Sequence, residues 1–305
     1  METRSPEALH GDGDKLDRDE AARPSALADA LRNAASEAQA ALARPDPEKA
    51  VHDIRKAFKR LRALLRLVRG GRRSEEAKAL RRELGEAARK LSGARDGTAR
   101  TDALDDLVRK GGLDRKRADR LSRREIAAST EDEAALQALA SHRTEIESLI
   151  MRCRSKAPDL ADNLGRKALV RSLTDDYRRA RRRLRLVDPT DDESLHDLRK
   201  SVIAQRYQME LATPGWPRMG KLWVDELQKL RDKLGKHHDL AVLTETRSND
   251  EDGAFPDDDR EYLLRSAGMR QDHLAGSSLR LGRRIFCEKP RAFARRIQRY
   301  FAHVA

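Results

Sequence analysis

The sequence predicts an all-α fold assembled from two similar helical halves, and three observations carry that reading. Apolar residues recur at three- and four-residue steps through most of the 305-residue chain, and no stretch alternates apolar and polar residues long enough for a strand. Charged and hydrophobic residues each make up 38%, a balance that suits amphipathic helices around narrow cores better than a thick buried sheet. A short motif, His-Asp-x-Arg-Lys, occurs twice, far apart in the chain.

The elements follow in order. Residues 1–24 are polar, Gly-containing and mixed in charge, as expected of a disordered tail. They lack the apolar segment of a signal peptide. Residues 25–43, rich in Ala, Leu, Gln and Glu, read as a helix that Pro45-Asp46-Pro47 ends. The stretch from Val51 to Arg69 is the most strongly patterned in the chain. Val51, Ile54, Phe58, Leu61, Leu65 and Val68 form one helical stripe. His52, Arg55, Lys59, Arg62, Arg66 and Arg69 form a second, one residue on and so about 100° around the cylinder. Gly70-Gly71 is expected to stop this helix. Further helices are expected from Ser74 to about Leu91, from Asp96 to Lys110, and near 114–128 and 131–152, with breaks at Ser92-Gly93 and Gly111-Gly112. Pro158 to Gly165 reads as the joint between a first half, 25–157, and a second, 158–305. The second half reads as helices over 166–187, 193–212 and 221–235, the last burying Leu222, Leu227, Leu230 and Leu234. An acidic loop over 248–259 and helices near 260–276 and 290–303 complete it.

The charge balance narrows the function. The net charge is +13, which points to an anionic partner: nucleic acid, an acidic membrane or an inorganic phosphate polymer. The surplus is concentrated, since Val51–Arg73 holds nine Lys or Arg against one Asp. A regular ladder of cations suits a long, regularly charged anion better than a compact substrate. Cys153 and Cys287 lie far apart, outside any metal-ligand spacing, and read as reduced packing residues of a cytoplasmic protein. No apolar run approaches the roughly 18 residues of a membrane span.

The repeat organises these pieces. VHDIRK at 51–56 recurs as LHDLRK at 195–200, an offset of 144 residues, and a proline stands seven residues before each histidine. LSGARD at 91–96 matches LGKHHD at 234–239 at an offset of 143. Two motifs in the same order at nearly one offset predict a tandem duplication. Duplicated units commonly pack about a pseudo-twofold axis, which would bring both motif helices to one shared surface. The copies have diverged: Ile203, Ala204 and Glu210 stand opposite Lys59, Arg60 and Arg66, while Arg199, Lys200 and Arg206 keep the basic register. The arginine cluster at 178–185 is a candidate to supply the missing charge.

Taken together, HDIRKAFKRLR, YRRARRRLR, HDLRKSVIAQRY, LGKHHDLAVL and the terminal IFCEKPRAFARRI resemble the CHAD family, an all-helical domain named for its histidines. The resemblance covers roughly residues 25–305. It implies two four-helix bundles related by pseudo-symmetry, with basic helices lining a central groove or pore. It further implies binding of inorganic polyphosphate and a place on polyphosphate granules in the cytoplasm. Some members carry a triphosphate-tunnel domain, but no ExExK strand pattern occurs here.

The chemistry of the candidate residues fits that ligand. Polyphosphate offers charge and phosphoryl oxygens but no bases, so Arg forks and Lys point charges must do the recognition. From His52 to Arg66 the ladder spans 14 residues, about 21 Å at 1.5 Å per residue, enough for several successive phosphates. The expected polyphosphate-binding residues are His52, Arg55, Lys56, Lys59, Arg60, Arg62 and Arg66 in the first half. In the second they are Arg178, Arg182, His196, Arg199, Lys200, Arg206 and His238. Each histidine either donates to phosphate, which strengthens binding as pH falls toward 6, or packs at a helix start beside its Asp. Asp53 and Asp197 are expected to orient an imidazole or a neighbouring Arg. No catalytic residue, metal or cofactor is expected. Two alternatives stand. Nucleic acid is compatible with the charge, and non-specific binding at low salt is expected, yet aromatics are only 4%, too few for a stacking platform. The pairs His52-Asp53, His196-Asp197 and His238-Asp239 evoke a metal-dependent phosphohydrolase, but they sit among cations that repel divalent metals.

Overall fold

The computed structural model describes residues 26–91, 96–127, 131–162, 164–248 and 257–302. Among these residues there are eleven α-helices, one 3-10 helix and no strand. The expected tail 1–24, the Ser92-Gly93 bend and most of the acidic loop lie outside the described residues. The helices are α1 (Ala26–Leu42), α2 (Pro47–Leu65), α3 (Gly71–Lys90), α4 (Asp96–Arg109), α5 (Arg115–Ala127), α6 (Glu131–Ala161), α7 (Arg166–Leu186), α8 (Asp192–Met209), α9 (Pro217–Ser248), α10 (Asp257–Ile285) and α11 (Pro290–Ala302). A 3-10 segment, Glu210–Gly215, joins α8 to α9.

Two groups of helices share one continuous core. In the first, α2 packs against α1, α3 and α6, and α6 closes onto α1 and α3. In the second, α8 lies between α7 and α9, and α10 and α11 flank them. The apolar stripe of α2 is buried along its whole length, Val68 included, so the residues chosen by helical period do face the core. The α4–α5 pair does not stay with its own group. It docks on α9 and α10, where Leu104, Leu107 and Leu121 pack with Leu240, Leu243 and Leu263.

Several boundaries differ from the sequence expectation, each for a visible reason. Helix α2 ends at Leu65, not Arg69, because Leu67 and Val68 turn into the core. Gly70, at φ +88°, then opens α3 rather than closing α2. Helix α6 runs through Pro158 to Ala161, held by buried Ala157, Leu160 and Ala161, so the 157/158 division falls inside it. Helix α9 continues past Gly235 to Ser248, and α10 past 276 to Ile285. Leu222 is 52% exposed while Leu227, Leu230 and Leu234 are buried. Five residues separate Leu222 from Leu227, about 140° off the buried face. Cys153 is buried, and burial pushes its thiol up to about 12; Cys287 is exposed rather than packed.

Candidate functional site

The two motif helices begin alike. Asp46 caps α2 by accepting from the Lys49 amide at 2.9 Å, with Pro47 in the first turn. Asp191 caps α8 by accepting from the Glu193 amide at 3.0 Å. A capping carboxylate before the first turn fixes where each helix starts, and hence which way each basic row points. The helices then pack on each other. Ala63 meets Ala204 and Tyr207, with Ile203 alongside, and Gln208 Nε2 donates to the Ala63 carbonyl at 2.9 Å. The divergence at Ile203 and Ala204 therefore has a structural use: small and apolar residues let the helices approach.

Beside this contact the α2 row meets α3. Arg55 Nη1 donates to the Ala88 carbonyl at 2.7 Å. The Arg62 guanidinium lies over Gly85, its Cζ 3.4 Å from where a Cβ would stand. Arg81 and Arg89 flank that glycine one turn either way. Desolvation by this crowding, then repulsion from Arg89 and Arg66, holds Arg62 below the usual arginine value. Arg81 is lowered by its desolvation and by Arg66, Arg62 and Arg69, against the pull of Asp176. Charges held together against their own repulsion are relieved by an incoming anion. Sequence reading missed Arg81 and Arg89. Their signal was a basic i, i+4, i+8 stripe interrupted by Gly85, which leaves room for a side chain from another helix.

A second cluster forms where α8 meets α9. The His196 and His238 rings stand 4.4 Å apart between centroids. Arg199 lies over Gly235, its Nη2 3.2 Å from a would-be Cβ. Desolvation, then Lys200 and Arg199, push His196 below the ordinary histidine range, with Lys59 of α2 near enough to add to the shift. Desolvation, then His196 and Arg199, push His238 to about 4. Both rings are neutral at pH 7. His237 is buried with Nδ1 3.6 Å from Asp192 Oδ1, and its desolvation also lowers it. Asp197 pairs with Lys200 at 3.0 Å and with Arg183 at 3.1 Å, and Asp53 pairs with Arg44 at 2.9 Å. These carboxylates hold cations, and Asp197 also acts on His196, opposing the lowering of its pKa.

Other expected ligand residues are held by carboxylates. Arg66 makes a two-pronged bond to Asp176, Nε–Oδ2 2.9 Å and Nη2–Oδ1 3.0 Å. Asp176, almost fully buried on α7, also takes Arg69 and accepts from Gln208 Nε2 at 2.7 Å. Arg60 bridges Glu37 and Glu210. Arg206 reaches Glu210 at 3.3 Å and stacks over Tyr207. Burial raises the Glu210 carboxyl, opposed by Arg60, Arg206 and Lys56. Arg178 pairs with Asp175 on its own helix, while Arg182 and His52 are exposed.

The fold thus brings together His196, Arg199, Lys200 and His238, with Lys59 in electrostatic reach of His196, and separately sets Arg62 among Arg81 and Arg89 on α3, where Arg55 also docks. Such a surface offers charge-assisted donors to an anion. Among the described residues no group of three His, Cys, Asp or Glu stands close enough to hold a metal ion, and no helix is long and apolar enough to cross a membrane.

Two solved structures share the fold. The crystal structure of the CHAD domain from the plant Ricinus communis is 22% identical over 85% of this chain and 92% of its own, at a TM-score of 0.61. PptA from Streptomyces chartreusis is 19% identical over 87% of this chain and 100% of its own, at a TM-score of 0.59. No curated protein matches the sequence. The CHAD domain model matches residues 25–248, from the first described helix through α9 and so across both histidine-headed helices. With most of its length matched in this way, the chain belongs to the CHAD domain family.

Proposed function

We propose that this protein binds inorganic polyphosphate without transforming it, through the basic surface where α2, α3, α8 and α9 meet. The observation that carries the proposal is the packing of the two histidine-headed helices on each other, which brings Lys59 of one within electrostatic reach of His196 of the other, inside a family of polyphosphate-binding domains. Arg55, Arg62, Arg81 and Arg89 extend the surface along α3. Successive phosphates lie across these cations and make bidentate bonds to the arginines. The two halves of the chain, 25–157 and 158–305, each contribute one row. Of the remaining candidates, exposed Lys56, Arg182 and His52 form a wider polar rim in which the two cations steer the polymer inward, while Arg60, Arg66, Arg178 and Arg206 are held by carboxylates and support the surface rather than grip the polymer. This reading places the protein in the cytoplasm, on polyphosphate granules, where a fluorescent fusion should co-localise with them.

Titration with polyphosphates of several lengths tests the proposal. The Arg55→Ala, Lys59→Ala, Arg62→Ala triple variant should bind at least tenfold more weakly, and its salt slope should fall by roughly two to three counterions. An unchanged affinity would sink it. Long polyphosphate should displace DNA at far lower phosphate concentration than the reverse; the opposite order would favour nucleic acid.

A further inference from the structure

Trp216, just past the 3-10 segment, and α11 form an open pocket of about 410 Å³ lined by Trp216, Ala292, Arg295, Arg296, Arg299 and Tyr300. Most of it is built by α11, which lies beyond the residues the family model matches. The pocket has an aromatic wall. Tyr177 of α7 stacks on Phe293 at 4.0 Å between ring centroids and fastens α11 in place. Trp216 and Tyr300 meet edge to face at 5.3 Å. Arg296 is fixed by Glu288 at 2.7 Å and lies 4.5 Å over the Trp223 ring. Trp216 nevertheless keeps 48% of its surface open.

Two cations stand at the rim. Arg295 and Arg299 are one turn apart on α11 and both exposed. Among the described residues no carboxylate is paired with either. Residues four apart on a helix place their Cβ atoms about 6 Å from each other, close enough for two long arginine side chains to converge on one short phosphate chain. Inorganic polyphosphate offers oxygens to the indole N–H and the phenol O–H but no flat face for the two rings to stack on. A flat heterocycle carrying phosphates uses every part of the pocket: ring on aromatic wall, phosphates on the arginine pair. The volume lies within the roughly 300–1,000 Å³ of small-molecule sites.

We propose that this pocket binds a nucleoside phosphate, with the base against Trp216 and Tyr300 and the phosphates on Arg295 and Arg299. None of the residues that line it belongs to the α2–α8 surface, so variants of the full-length chain can probe the two sites separately. The test uses ATP and inorganic tripolyphosphate as probes of similar charge with and without a base. Isothermal titration and tryptophan fluorescence on the full chain should show saturable ATP binding, on the order of tenfold tighter at this site than tripolyphosphate. The Arg295→Ala, Arg299→Ala variant should lose on the order of tenfold in ATP affinity while its titration with long polyphosphate stays unchanged. The Arg55→Ala, Lys59→Ala, Arg62→Ala variant should show the reverse pattern. Trp216→Leu keeps the charges and should abolish the preference for ATP over tripolyphosphate. The proposal is overturned if ATP and tripolyphosphate bind equally, if ATP affinity falls with the α2 variant instead of the α11 variant, or if the preference for ATP survives Trp216→Leu.

Discussion

At the scale of single residues, position in a row does not set a side chain's role. Arg62 and Arg66 are one turn apart in the same basic stripe. Arg62 lies over a glycine among other cations, whereas Arg66 is locked on the buried Asp176. Removing one partner of a buried pair leaves an uncompensated charge, which costs about 3–5 kcal/mol. Arg66→Ala should therefore lower unfolding stability by roughly 2–4 kcal/mol, discounted for the remaining partners of Asp176. Arg62→Ala should cost under about 0.5 kcal/mol yet weaken polyphosphate binding. Denaturant unfolding checks both, and equal losses would refute the distinction. The histidines give a pH dependence. His196 and His238 are both held below their unfolded value of 6.5, so the folded protein binds fewer protons than the unfolded one. Stability is full above about pH 7 and falls as pH drops toward the folded value, about 4 for His238. His238→Gln should remove roughly 1–2 kcal/mol of the loss between pH 7 and 5, read as a flatter melting-temperature profile. A bound polyanion raises these same pKa values, so binding should take up protons and tighten below pH 7. Calorimetry in two buffers of different ionisation enthalpy measures that uptake. The window thus sits lower than an unperturbed imidazole suggests, because desolvation and neighbouring cations suppress charging until the anion arrives.

At the scale of elements, both basic clusters use a helix with a glycine facing the incoming arginine. Gly85 of α3 and Gly235 of α9 are buried, and Arg62 and Arg199 lie across them. A glycine inside a helix costs about 0.5–1 kcal/mol relative to alanine, so something else must favour it there. At Gly235 a methyl group would stand 3.2 Å from Arg199 Nη2, tight enough to displace it, whereas at Gly85 the nearest atom is at 3.4 Å. Gly235→Ala should raise the melting temperature by the helix-propensity gain and weaken polyphosphate binding several-fold. Gly85→Ala should raise it with little change in binding. Melting curves and titrations of the two variants decide the matter: a Gly235→Ala protein that is more stable and binds normally would show that Arg199 tolerates the push.

At the scale of the whole molecule, the two groups of helices are interlocked. The α4–α5 pair follows α3 in the chain but buries Leu104, Leu107 and Leu121 against α9 and α10. Buried Asp106 on α4 binds Lys236 at 2.6 Å and Arg270 at 2.8 Å from those same helices. Residues 25–161 expressed alone would expose that apolar face and strand the carboxylate. The fragment should bind a hydrophobic dye and show no cooperative melting; a well-folded monomeric fragment would contradict the exchange. Leu107→Ala in the full chain should cost about 2–5 kcal/mol.

The sequence by itself determined the helical class, the buried stripe of α2 and the presence of two histidine-headed helices within one family, whereas their packing on each other is a fact of the folded chain. Each of the first three follows from spacings of three or four residues or from a repeated motif, and such local order survives in the linear text. Helix ends were less legible: α6 passes through Pro158 and α9 through Gly235, because tertiary packing outweighs a local breaker. The fate of individual cations was decided only in the folded chain. Asp176 lies 110 residues from Arg66, and Glu210 lies 150 from Arg60. No helical period reports a carboxylate that far away, yet at about 3 Å in a partly buried site it outweighs every neighbour in sequence, since Coulomb energy depends on distance through space and on the surrounding dielectric.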